Sequence, residues 1–162
     1  MTLACSLLRS RTVSTGPADW HRFKRSGFLV EFSYPQVTPQ GHAVEQFEEH
    51  VQDHRGDMER VHLSSPKSGE LYLEVARFRE LAPQDDYLSH KRYLAQRFGS
   101  DSVSPLVETA IEGRPAWAYS ILAAEHERSV LMLHVAGDTY RFIYDPRCEL
   151  NHRVIDTLTI EG

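Results

Sequence analysis

The most constraining feature of this chain is a succession of short connections between apolar stretches in its C-terminal half. Between residues 103 and 145 the stretches are parted by Glu112-Gly113, by a polar loop over 124–127, and by Ala136-Gly137-Asp138. Connections this short join antiparallel neighbours, because a parallel pair needs a crossover of roughly a dozen residues. The pattern therefore predicts four antiparallel strands, at 103–111, 114–122, 129–135 and 139–145. In the third, Leu131, Leu133 and Val135 point one way and Val130, Met132 and His134 the other. Both sides are largely apolar, so this strand is expected inside the sheet, covered on both faces. Residues 148–158 then read as a closing helix, with Leu150, Val154, Ile155 and Leu158 on its buried side.

The upstream half adds further elements. Residues 19–23 suggest a short strand. In 28–34, Phe28, Val30, Phe32 and Tyr34 share one face, and Pro35 ends the strand because proline cannot donate to a ladder. Residues 41–55 read as a helix: Val44, Phe47 and Val51 fall at i, i+3 and i+7, acidic residues form the wet face, and Gly56 serves as cap. Residues 58–64 and 70–78 form a predicted hairpin around Ser65-Pro66-Lys67-Ser68-Gly69. A helix is predicted from Pro83 to the stop at Gly99. Asp85 and Asp86 in its first turn and Arg97 in its last suit the helix dipole.

The resulting fold class is α+β: an α/β/α sandwich with a central, mainly antiparallel sheet of about six to seven strands and helices on both faces. With 162 residues the chain suits one domain, placed at 19–162 after a loose tail over 1–18. The formal net charge of -5 argues against the basic field of a nucleic-acid binder. No apolar run approaches the roughly 20 residues of a membrane span. The opening residues 1–8 are followed at once by Arg9 and Arg11, unlike a secretion signal, so a cytoplasmic protein is expected.

Several groups invite a chemical reading. His50 and His54, at i and i+4 on the expected helix, have a metal-binding spacing, with Glu49, Asp53 and Asp57 nearby. The catalytic form of that motif needs a glutamate after the first histidine, and Val51 stands there. Both imidazoles are expected at the exposed helix edge, holding no tightly bound ion. His134 and His62 lie in strands and are expected to be core histidines, although a buried histidine in a cleft can act as acid or base. Cys148 opens a helix with His152 four residues on, an arrangement compatible with a thiolate–imidazole pair. A half-buried structural cysteine is the preferred account. Its fellow Cys5 falls in the tail, and no disulfide is assigned. The aromatics Trp117, Tyr119, Tyr140, Phe142, Tyr144, Trp20, Phe28, Phe32 and Tyr34 could line a pocket, but strands favour such residues anyway. There is no phosphate-binding glycine loop and no nucleophile elbow. No catalytic, cofactor-binding or metal-ligating residue is assigned.

Four phrases resemble the PsbP-like superfamily, which includes the extrinsic photosystem subunit, small bacterial proteins and a Ran-binding import factor. They are Gly27-Phe28-Leu29-Val30-Glu31-Phe32-Ser33-Tyr34-Pro35, Glu112-Gly113-Arg114-Pro115-Ala116, Gly137-Asp138-Thr139-Tyr140-Arg141-Phe142-Ile143-Tyr144, and the closing Asp156-Thr157-Leu158. The resemblance spans most of residues 20–162. It departs at residues 41–55, where the family has a tryptophan soon after Tyr-Pro. The resemblance implies an α/β/α sandwich that acts as a binding or assembly module, and it brings no catalytic residues. The expected function is therefore a non-enzymatic, cytosolic module that binds another protein or itself. The rival readings are a small-molecule-binding protein and a metal-dependent enzyme using His50/His54 or His134.

Overall fold

The computed structural model describes residues 19–53, 56–122 and 126–161. The tail expected over 1–18, with Cys5, lies outside the described residues, and so does His54. The elements in chain order are β1 (His21–Phe23), β2 (Val30–Tyr34), β3 (Glu45–Asp53), β4 (Gly56–Ser64), β5 (Tyr72–Phe78), α1 (Pro83–Phe98), β6 (Val107–Ile111), β7 (Arg114–Ile121), β8 (Arg128–Val135), β9 (Asp138–Tyr144), α2 (Glu149–Ile155) and β10 (Thr159–Ile160). They form a seven-stranded sheet of order β3-β4-β5-β9-β8-β7-β6 and a three-stranded sheet of order β1-β2-β10. Every pairing is antiparallel.

The short connections behave as their lengths require. Glu112-Gly113 closes β6 on β7, and Ala136-Gly137 closes β8 on β9. Strand β8 lies inside the sheet, and its two apolar faces enter two separate clusters. On one face Val130 and Met132 pack with Tyr119, Ile121 and Ile143 beneath Tyr87 and Leu94 of α1. On the other, Leu131 and Leu133 join Val61, Leu63, Leu73, Val75, Tyr140, Phe142 and Tyr144. That second face meets Phe23, Phe28, Val30, Phe32 and Tyr34 from the small sheet, and Leu150, Val154 and Ile155 of α2 share the same cluster.

Residues 41–55 correct the expected helix. They hold strand β3, which pairs with β4 from Glu45↔Ser64 to Asp53↔Gly56. Two apolar residues four apart fit a helical stripe and a strand face equally well, since Phe47 and Val51 are also two alternations apart. What decides between them is the neighbouring strand, which offers a nine-residue ladder through a two-residue connection. Gly56, expected as a helix cap, opens β4 instead. Losing that helix also changes the layers: the small sheet supplies much of the cover expected from helices on the second face.

Smaller corrections follow from local chemistry. The strand expected over 103–111 is paired only from Val107, with Val103 in a single bridge to Ile121. Pro105, which has no N–H to donate, lies in the unpaired part. The closing helix ends at Ile155, and Thr159 and Ile160 return to pair with Glu31 and Val30. Thr157 makes that reversal, because its hydroxyl accepts from the Ser33 N–H at 2.7 Å and donates to the Val154 carbonyl at 2.7 Å.

Candidate functional site

The α1 side of the large sheet is covered over only part of its width. One row of side chains across that face runs Phe47, His62, Glu74, Ile143, Val130, Tyr119. At the Tyr119 end α1 seals it. The Tyr87 and Tyr119 rings meet edge-on at 4.9 Å, the Tyr87 hydroxyl donates to the Ser104 carbonyl at 2.9 Å, and His90 Nδ1 lies 2.6 Å from the Tyr119 hydroxyl. Burial pushes the Tyr119 phenol far above its ordinary pKa, so it stays neutral.

At the opposite end no described residue covers the face. Phe47 is 62% exposed. Around it Val51, Met58, Arg60, His62, Tyr72 and Glu74 are all only half-buried. The His62 and Tyr72 rings meet edge-on at 4.8 Å, and Arg128 lies over the Tyr72 ring at 4.8 Å. Arg60 pairs with Glu49 and, at 3.4 Å, with Glu74. His62 Nε2 is buried without a hydrogen-bond partner among the described residues. The surface thus combines aromatic and thioether groups with a neutralised charge row, a composition suited to burial under a partner.

The residues singled out for chemistry are scattered. His50 lies on β3 and faces the small-sheet side, opposite Phe47, with Nε2 3.1 Å from Asp57 Oδ1. The Asp57 carboxyl is held below its usual range, first by the Gln52 side chain and then by His50. The helix expected to carry His50 is replaced by β3, so the helical spacing that suggested a metal pair does not exist there, and His54 lies outside the described residues. Among the described residues no group of three or more His, Cys, Asp or Glu side chains is placed to hold a metal ion.

His134, expected in the core, is exposed. It is the penultimate residue of β8, opposite Thr139 and 3.4 Å from its hydroxyl, where the strand runs into the β8–β9 turn. His62 is half-buried for a related reason: its face is the uncovered one. Cys148 stands at the N-terminal end of α2. Burial and then the nearby Asp145 carboxylate push its pKa up, and its thiol donates to the Gly69 carbonyl at 3.4 Å. His152 Nε2 is engaged by the Pro146 carbonyl at 2.6 Å. The preferred structural reading of Cys148 agrees with this geometry.

Of the aromatic set, Tyr119, Tyr140, Phe142, Tyr144, Phe28, Phe32 and Tyr34 are buried in the core, as strand preference alone would give. Sequence reasoning missed Phe47 as a surface residue, having assigned it to a buried helical stripe. The alternation Phe47, Glu49, Val51 was the available signal. Two open grooves of about 370 and 350 Å³ adjoin along Pro39, Leu150 and Arg153, near Cys148 and Trp20 respectively. Neither gathers convergent catalytic groups among the described residues.

No family model matches this sequence. No curated protein matches it either. Among solved structures, the solution structure of cyanobacterial PsbP (CyanoP) from Synechocystis is similar, with a TM-score of 0.59 at 13% sequence identity. The match covers 94% of this chain and 98% of that chain. Coverage is near-complete in both directions, so the likeness extends over the fold as a whole and is not a local motif alone. The chain therefore has a PsbP-like fold.

Proposed function

We propose that this chain is a non-enzymatic protein-binding or assembly module of the cytosol, docking its partner on the uncovered half-face of β3, β4 and β5. The observation that carries this reading is Phe47, 62% exposed among half-buried Val51, Met58, His62 and Tyr72. Burying such a phenylalanine fully is worth about 1.5–3 kcal/mol, a typical anchor contribution. The half-buried neighbours are already partly ordered, so closing over them costs little side-chain entropy. A metal-dependent enzyme loses its structural motive with the helix that would have presented His50 and His54. His134 lies exposed at a strand end, and among the described residues no acid or base group converges on it.

The test uses two substitutions on β4 that face this surface, Met58→Asp and His62→Asp. The tagged full chain is incubated with a lysate of its native host and cross-linked. A partner retained at fixed stoichiometry, cross-linked to β4 and β5 and lost in both variants, is the expected result. Thermal unfolding of the variants checks that the fold persists. Cross-links confined to β6 or α1 would refute the assigned surface.

A further inference from the structure

Among the described residues, strand β3 forms one edge of the large sheet and pairs with β4 alone. The pair that closes this hairpin, Asp53↔Gly56, spans two residues. Such a closing pair exchanges both of its hydrogen bonds. By alternation, residues 45, 47, 49, 51 and 53 spend their backbone groups on β4, while Gln46, Glu48, His50 and Gln52 turn their N–H and C=O outward. An open edge with free backbone groups is a template for another strand.

The side chains say which strand fits. Outward in both directions from Glu49 the sequence runs Glu48 and His50, then Phe47 and Val51, then Gln46 and Gln52. We propose that β3 pairs with β3 of a second copy of this chain, antiparallel about a two-fold axis at Glu49. Each Glu48 then faces a His50, each Phe47 a Val51 and each Gln46 a Gln52. Backbone parity supports the same register independently. Residues 46, 48, 50 and 52, which have free groups, become the hydrogen-bonded pairs. Phe47 and Val51 become non-hydrogen-bonded pairs, where opposed Cα atoms approach to about 4.5 Å and side chains pack closest.

Neighbouring registers fail. An axis at Glu48 sets Phe47 against Glu49, and one at His50 sets Glu49 against Val51. An axis between residues puts a residue with free backbone groups opposite one without them. The costs of the chosen register are Glu49 against its own copy and the acidic residues 45 and 53 at the ends. Each Glu49 is already paired with Arg60 of its own chain, which offsets the central repulsion. The interface is isologous and closes on itself. Because the axis stands perpendicular to the sheet, it places the two uncovered half-faces side by side on the same side of one continuous sheet. The dimer goes beyond the partner-binding reading and stands without it.

Sedimentation equilibrium of the full chain should show a monomer–dimer equilibrium below ~100 µM. Glu48→Pro removes an outward N–H while leaving the β3–β4 bonds, a change that edge strands tolerate, and should weaken the dimer by at least about tenfold. Register is read by Glu49→Cys in a Cys5→Ser, Cys148→Ser background. With oxidised glutathione as oxidant, the axial pair should form an intermolecular disulfide, because non-hydrogen-bonded neighbours lie within disulfide reach. Gln46→Cys in the same background should not. If Glu48→Pro fails to fold by circular dichroism, Phe47→Ala replaces it, with the same weakening expected. A monomer throughout, or a dimer that survives Glu48→Pro with no Glu49→Cys cross-link, overturns the proposal. Partner capture measured on Glu48→Pro separates this outcome from that of the partner-binding reading.

Discussion

Asp86 is 1% exposed, and both of its carboxylate oxygens accept from Arg141 Nη1, at 3.0 and 3.2 Å. The Arg141 guanidinium also lies over the Phe78 ring at 4.7 Å. Removing one partner of such a pair leaves a charge in a low-dielectric site, which is far costlier than never having the pair. Asp86→Ala is expected to cost about 3–5 kcal/mol in urea unfolding, and a loss below about 1 kcal/mol would contradict this account. The sequence suggested a different role for Asp86, that of a first-turn acid matching the helix dipole. Dipole logic concerns position along the helix and is silent on which side meets a sheet. The same blindness affected His134, since membership of a central strand does not say where along the strand its cover ends. For Cys148, whose helix-start position was compatible with a thiolate, burial and Asp145 raise the pKa, in line with the preferred structural account.

At the scale of elements, α1 was legible because its signals are local. Pro83 pre-sets the first turn, and Gly99 ends the last with φ 102° and ψ 164°, its N–H donating to the Ala95 carbonyl at 2.9 Å. No atom lies within 4 Å of where a Cβ would stand on Gly99, so substitution meets a conformational cost and no clash. Gly99→Ala is expected to lower stability by about 1–3 kcal/mol, read as a reduced midpoint in thermal unfolding, with helix content preserved. An unchanged midpoint would mean that the helix end relaxes freely. Strand β3 was illegible for the opposite reason. Its glutamates favour helix, its apolar spacing suits either form, and the ladder to β4 that settles the matter belongs to another segment.

At the scale of the whole molecule, protection should follow position in the sheet. Amides of β8 and β9, bonded on both sides near the middle of the strand order, should exchange with solvent only through global unfolding. The outward amides of Gln46, Glu48, His50 and Gln52 should exchange fast in dilute protein and slow as concentration rises toward the dimer. Uniform exchange across β3 and β9 would exclude this ordering. The sequence by itself determined the antiparallel strand succession from β6 to β9, the β4–β5 hairpin, α1, and the buried aromatic and aliphatic rows, because turn length, alternation and capping are properties of adjacent residues. Only the tertiary structure decided that β3 is a strand, that β10 returns to pair with β2, that a second small sheet covers one face, and that the other face stays open at Phe47. Each of these depends on which distant surface is available for burial or hydrogen bonding, and that is set by residues far apart in the chain.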